Sequence, residues 1–402
     1  MTIYLNALGM ICSLGATHAG IRQRLFAGDS GLRTSGRHAY EDAPRIVGSI
    51  PFSDEELPTA AHLPLRERSR NNRVALAALA QIRPEVETLI ARFGPDRIGV
   101  VLGTSTSGIA EGEAAFRHYV AHGKFPAQFH YGQQELGSPA AALAMTLGLC
   151  GPAYVHSSAC SSSAKAMASA ARLINMGLCD AVISGGVDTL CDFTIAGFSS
   201  LDSVSAERCN PLSINRRGIN IGEGAALFLM TSEAAAATVA LCGWGESSDA
   251  HHISAPDPEG VGAALAIRQA LLRAAIAPEQ IDYINLHGTA TLQNDAMESK
   301  AIHQLFGAKT PVSSTKSFTG HALGAASAIE AGLCWLTMQD DNPTGILPPH
   351  LWDGQADPAL PVLHTVRVGE SLGRPPRYVL SNSFAFGGSN AALILGRGGN
   401  AD

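Results

Sequence analysis

Cys160 has the strongest claim to chemistry in this chain of 402 residues. It lies in YVHSSACSSSAKAMASAARLINMG, where a short apolar run ends at His156, small residues follow, and a helix is expected from Ser162. A thiol on such a strand-to-helix turn faces the positive end of the helix, which favours thiolate. Small neighbours would admit a carbonyl and offer backbone N–H groups to an oxyanion. The alternative is a buried structural cysteine, the reading that suits the other seven. His287 in INLHGTAT and His321 in STKSFTGHALGAASAIE each close a strand beside glycine and small residues, where a ring can reach into a cleft. A lone histidine is more often a hydrogen-bonded structural residue; these two gain weight from their repeated setting. Lys316 is one of only five lysines, and between Thr310 and Gln339 the only formal charges are Lys316 and Glu330. Burying either charge alone is costly, so the two are expected to pair.

The elements that must hold these residues alternate along the chain. Strands are expected at Arg97–Gly103, Ala153–His156, Asp180–Gly185, Ala225–Met230, Ile281–Leu286, Pro311–Ser314 and Tyr378–Ser381. Helices are expected at Asn71–Ile82, Ser162–Met176, Gly262–Ala275 and Ala325–Met338. Such alternation predicts an α/β fold with a sheet covered on both faces. VLGTST (101–106) echoes LHGTAT (286–291), and GEGAALFL (222–229) echoes GGSNAALIL (387–395). The Cys160 and His321 segments pair in the same way, which predicts two related halves, 1–240 carrying the nucleophile and 241–402 carrying the histidines.

Composition narrows the classes. Hydrophobic residues make up 46% and charged residues 16%, which excludes a disordered chain. The net charge of −7, with no basic block, argues against a nucleic-acid partner. No CxxC pair suggests a zinc site or disulfide framework, and a reducing cytoplasm is the expected compartment. The N-terminus lacks the basic start of a signal peptide. The uncharged run Leu136–Ala164 is broken by glycines, prolines and serines, and reads as buried interior rather than a membrane span.

Taken together, SSACSSS, NPLSINRRGINIGEGAA (210–226), SSDAHHISAPDPEG (247–260), HGTAT, STKSFTGHALGAASAIE and NSFAFGGSN (382–390) resemble the β-ketoacyl-acyl carrier protein synthases of the thiolase superfamily. The likeness spans essentially the whole chain. Keeping Cys, His and His is the pattern of the elongating branch; starter enzymes carry His and Asn, and chain-length-factor proteins lack the cysteine. Within the family the chain looks most like aryl polyene synthases, in IYLNALGMICSLG and GTSTSG (103–108). It departs in HGTAT for HGTGT or HGTST, in FAFGGSN for FGFGGTN, and in Ser327 where glycine is usual.

The resemblance implies a five-layered αβαβα thiolase-like fold, dimeric through the strand leading to the nucleophile. It implies a decarboxylative Claisen condensation with Cys160 as nucleophile, His287 and His321 over the malonyl thioester carbonyl, and Lys316 orienting His321 with support from Glu330. Backbone N–H groups of Cys160 and Phe386 would hold the oxyanion. Thr289, Thr291 and Ser254 would contact the phosphopantetheine arm, Phe386 would gate the site, and Thr106 would stand where the acyl tunnel narrows. No metal or organic cofactor is implied, since the arm arrives on an acyl carrier protein. The partner would be that carrier, with a second copy or a chain-length-factor-like subunit completing a dimer. Arg66, Arg68, Arg70 and Arg73 are the densest basic group and would dock the acidic carrier, or else form a solvated helix face. Arg216 matches another docking position, or is structural. Two other readings stand beside this one: housekeeping fatty-acid elongation, and a non-catalytic subunit that shapes a partner's tunnel.

Overall fold

A computed structural model describes residues 2–40, 43–235 and 239–397. The chain opens with β1 (Ile3–Ile11), α1 (His18–Ala27) and the antiparallel pair β2 (Arg33–Tyr40) and β3 (Ala43–Val47). Helices α2 (Arg70–Ala80) and α3 (Arg83–Phe93) precede β4 (Ile98–Gly103). Ser69 starts α2 by accepting the Asn72 N–H on its hydroxyl, a favoured N-cap arrangement. Next come α4 (Ile109–His122), α5 (Ser138–Leu147), β5 (Ala153–His156) and α6 (Ser162–Asn175). The half closes with β6 (Ala181–Asp188), α7 (Asp192–Ser199) and β7 (Gly224–Thr231).

The second stretch begins with β8 (Val239–Ser248) and α8 (Val261–Ala274), followed by β9 (Tyr283–Asn285) and α9 (Leu292–Phe306). Then come β10 (Pro311–Ser313), the one-turn helix α10 (Lys316–Thr319) and α11 (Ala326–Thr337). The last strands are β11 (His364–Thr365), β12 (Tyr378–Ala385) and β13 (Ser389–Arg397).

The main sheet runs β11-β10-β9-β12-β13-β8-β1-β7-β6-β4-β5. On one side β4 is parallel to β5 and β6, and β7 is antiparallel to β6 and β1. On the other, β9 is parallel to β10 and β12, and β13 is antiparallel to β12 and β8. The same pattern thus occurs twice, and the two copies meet where β1 pairs with β8 over Ile3–Leu241 to Leu5–Val239. All residues of β4, β6 and β7 are buried, so both faces of these strands are covered.

Helices complete the layers. One apolar cluster joins α2, α3 and α5 to one face of the first copy, and another joins α8 and α9 to the outer face of the second. Between the copies lie α6 and α11, and every residue of α11 is buried. A helix buried all round belongs in the interior, and α11 contacts both β7 and β12. The five-layered αβαβα arrangement follows.

One expectation is corrected here. The uncharged run 136–164 is not wholly interior: Leu136 and Met145 are 40% and 43% exposed, and β5 is a partly exposed edge strand. The run lacks charge because α5 buries only one face, its other face being apolar or neutral rather than ionic. Among the described residues, no helix is long and apolar enough to cross a membrane.

Candidate active site

The edge strand β5 delivers the chain into a tight turn ahead of α6. Ala159 takes φ +51°, a left-handed conformation that costs a non-glycine residue roughly 1–2 kcal/mol. Cys160 follows, 5% exposed, and Ser161 is the residue before the helix. The backbone amides of Phe386 and of Cys160 itself both act on the thiol in the direction of its ionised form. Both implied oxyanion donors therefore lie close to the sulfur.

Burial nevertheless pushes the Cys160 thiol up to about 11, outweighing the nearby Lys316 charge and the two backbone amides. Burial thus opposes the thiolate that the helix end was expected to favour, because removal from water disfavours the charged form. Its proton has a neighbour to go to, since His321 Nε2 lies 2.9 Å from Sγ.

Beyond β9, the His287 and Gly288 N–H groups donate to Glu298 at 2.7 Å each, fixing the turn from below. The His287 and His321 rings meet edge to face at 5.4 Å. Both imidazoles are held well below the usual histidine range, first by burial and then by the Lys316 charge. They are neutral at neutral pH, and each offers one N–H.

Lys316 pairs with Glu330 at 1% and 2% side-chain exposure, as expected. Its ammonium reaches His287 Nδ1 at 3.4 Å, whereas His321 Nδ1 has no hydrogen-bond partner among the described residues. The expected orienting of His321 by Lys316 is thus corrected; Lys316 stands behind His287, because β10 and β9 are neighbours and bring their following turns together. With Nδ1 accepting from the ammonium, His287 carries its proton on Nε2. His321 has no such constraint and can exchange tautomers. Cys160, His287 and His321 place three potential ligand atoms within 4.8 Å of one another. The Nε2–H tautomer imposed by Lys316 makes His287 a donor rather than a ligand, so the cluster suits proton handling better than metal binding.

His321 is placed by crossing backbones. Its N–H donates to Asn220 at 2.7 Å, and its carbonyl accepts from Gly222 at 2.9 Å. A Cβ on Gly222 would lie 2.5 Å from the Thr319 carbonyl oxygen, and one on Gly48 would lie 1.9 Å from the same atom. Only glycine fits at either position.

A cavity of about 250 Å³ opens over the cysteine and both histidines. Phe386, Thr289, Thr291 and Ser254 line it, as does Gln293, which sequence reasoning missed. Phe386 packs against Phe198 with ring centres 5.6 Å apart. Ala290, where the family motif has Gly or Ser, adopts φ +63°, so this chain carries backbone strain at the departure. Thr106 does not line the cavity; its hydroxyl donates to buried Asp188 at 2.7 Å.

The arginines lie elsewhere. Arg68 donates to the Leu63 and Ala61 carbonyls, Arg70 binds Glu223 and Asp54, and Arg73 holds the Leu57 and Pro58 carbonyls. These three staple the 54–63 segment to α2. Arg66 is more open, with Glu67 at 3.1 Å as its ion-pair partner among the described residues. Arg216 is 4% exposed and spent on Asp357 and the Ser213 carbonyl.

Glu298 and Asp188 are among the buried carboxylates that sequence reasoning missed. Burial pushes Glu298 up to about 7 and raises Asp188. Two acids at i and i+3 in α9, Asp295 and Glu298, directly after HGTAT, were the available signal for the first.

Known proteins share this arrangement. Residues 3–236 match the family "Beta-ketoacyl synthase, N-terminal domain", and residues 238–351 match "Beta-ketoacyl synthase, C-terminal domain". The chain is 31% identical over 406 residues to "Nodulation protein E" of Rhizobium sp. (strain N33), covering 98% of each. It is 31% identical to "3-oxoacyl-[acyl-carrier-protein] synthase 2" of Rhizobium meliloti (strain 1021), again over 98% of each. Among solved structures, the ketosynthase ApeO, in complex with its chain length factor ApeC, from Xenorhabdus doucetiae is similar at 46% identity. Its TM-score is 0.90, with 98% of both chains covered. With family models spanning most of its length and relatives matching it end to end, the chain belongs to the β-ketoacyl synthase family of condensing acyltransferases.

Proposed function

We propose that Cys160, His287 and His321 carry out chain elongation by decarboxylative Claisen condensation, with Lys316 and Glu330 supporting them. The observation that carries this reading is the 2.9 Å approach of His321 Nε2 to the Cys160 thiol, beside a His287 whose donor nitrogen is fixed by Lys316. In the first half-reaction the thiol proton passes to His321 while sulfur attacks the acyl thioester. The new Cys160–acyl bond forms, the carrier's C–S bond breaks, and His321 returns the proton to the departing thiol. After exchange to its other tautomer, with the proton moved from Nδ1 to Nε2, His321 presents Nε2–H, and with His287 it donates to the malonyl thioester carbonyl. Loss of CO2 leaves an enolate held by these two donors, each worth roughly 3–4 kcal/mol in acyl-transfer sites. Its carbon attacks the acyl group, a C–C bond forms as the acyl C–S bond breaks, and Cys160 leaves as a thiolate to be reprotonated.

The acyl carrier protein supplies phosphopantetheine, and Thr289, Thr291 and Ser254 are placed to flank that arm. Phe386 stands between the arm and the nucleophile as a gate. For carrier docking, Arg66 is the basic residue of its group with a free outer face; Arg216 supports the wall of the site. The likeness to ApeO supports an aryl polyene or related polyketide chain as the product, and a chain-length-factor-like subunit as partner. The exposed edge of β5 and the uncharged surface beside it suit such a partner. The repeated strand pattern supports a duplicated origin for 1–240 and 241–402, and carrier-based synthesis of this kind fits the cytoplasm.

The test combines the purified chain with acyl-carrier and malonyl-carrier, with and without a chain-length-factor subunit. Intact mass should show an acyl adduct on the protein and carrier products longer by two carbons. Cys160→Ala should abolish the adduct; its persistence overturns the nucleophile.

A further inference from the structure

Family members usually have glycine where this chain has Ser327, and the structure gives that hydroxyl a task. Ser327 lies in the first turn of α11 and is 1% exposed. Its Oγ donates to the carbonyl oxygen of Cys160 at 2.8 Å and lies 2.8 Å from Ser383 Oγ. A serine hydroxyl has one proton to give. With that proton on the Cys160 carbonyl, Ser383 must donate to Ser327, forming a relay from β12 through α11 to the nucleophile. A second bond runs alongside, from the Ala328 N–H to Ser163 Oγ at 2.9 Å, so the starts of α6 and α11 are tied twice.

We propose that Ser327 is a positioning residue that fixes the main chain of the nucleophile. The Cys160 carbonyl precedes Ser161, the residue before α6, and so lies outside the helical ladder. The residue ahead of it, Ala159, is in a strained left-handed conformation that surrounding contacts must maintain. Pinning the carbonyl sets the rotation of the Cys160 main chain, and with it the aim of Sγ and of the Cys160 N–H toward the oxyanion site. A glycine there has no hydroxyl and cannot do this. The inference rests on the acyl-transfer reading of the site, but it can be tested without carrier chemistry.

The experiment compares Ser327→Ala, Ser327→Gly and Ser327→Thr with the unaltered protein in two assays: the pH profile of Cys160 alkylation by iodoacetamide, and the rate of acyl-enzyme formation at varied acyl-carrier. Loss of one buried hydrogen bond that aims a reacting group should slow acylation by about tenfold in the alanine and glycine variants. The loss should fall on the maximal rate and leave KM for the carrier in place, and the alkylation profile should shift. Threonine should restore both to within about twofold, because it keeps the hydroxyl. Ser383→Ala should have a smaller effect alone and add nothing to Ser327→Ala, as expected of groups acting in series. Alanine and glycine variants that alkylate and acylate at the original rate overturn the proposal, as does a threonine variant that fails to recover. If the unaltered protein alkylates but never acylates, the acyl-transfer reading fails while the alkylation series still decides Ser327. Should the alanine variant not fold, the glycine and threonine pair decides in its place.

Discussion

The turn after β5 and the turn after β10 occupy corresponding places in the two copies of the strand pattern, yet they bring different things to the site. The β5 turn supplies Cys160 among serines and alanines, with no charge between Ala153 and Ala164. The β10 turn supplies Lys316 and His321, with Glu330 one helix later and His287 on the neighbouring strand end. One copy provides geometry and the other provides protons and charge. A buried charge needs a buried counter-charge, and α11 can supply one because it is enclosed on every side. The β5 edge is half open in the single chain, and among the described residues no helix enclosed on every side lies against it to supply a counter-charge.

The sharpest way to break this division is Lys316→Ala, which leaves Glu330 unpaired in the interior. Stability should fall by about 3–5 kcal/mol in denaturant unfolding, and Lys316→Met with Glu330→Gln should recover most of it. Condensation should stay impaired in the double variant, since His287 loses the cation that fixes its tautomer. His287→Ala comes next. It should slow condensation by roughly 100- to 1000-fold, about 3–4 kcal/mol, while the acyl adduct still forms. Equal loss of adduct and condensation would blur the two roles. The mildest test is the pH profile of Cys160 alkylation in the unloaded protein. A thiol pushed up to about 11 is protonated at neutral pH, so the rate should climb about tenfold per pH unit through neutrality. Both histidines are already neutral there and add no inflection near their ordinary value. A plateau from pH 6 to 8 would show instead a thiolate paired with an imidazolium.

Legibility in the sequence follows from the range of the interactions. β5 and α6 stand almost where their residues place them, because a short apolar run, a small-residue turn and an alanine-rich face are local signals. Strands β1, β8 and β13 were not read as strands. β8, VALCGWGESS, is broken by two glycines that the sheet tolerates because α8 packs against them, with Ala266 and Ala270 carbonyls where a Cβ would stand. Cys160, His287, His321, Lys316 and Glu330 do converge. The partner of Lys316, however, depended on which strands are neighbours, and no spacing along the chain encodes that. The same holds for Thr106, expected where the acyl tunnel narrows, whose hydroxyl is bonded to Asp188, distant in sequence. The arginine group misled by its density alone, since three of the four are tied to a loop preceding them.

The crossing of Gly48 and Gly222 over the Thr319 carbonyl has a consequence for how such a chain can change over generations. Cavity-lining side chains such as Gln293 or Thr291 can be exchanged to accept another substrate, because open space lies in front of them. The support of His321 cannot be altered by even one carbon at those two glycines without moving the loop. A change of product is therefore easier to build into the walls than into the floor under His321.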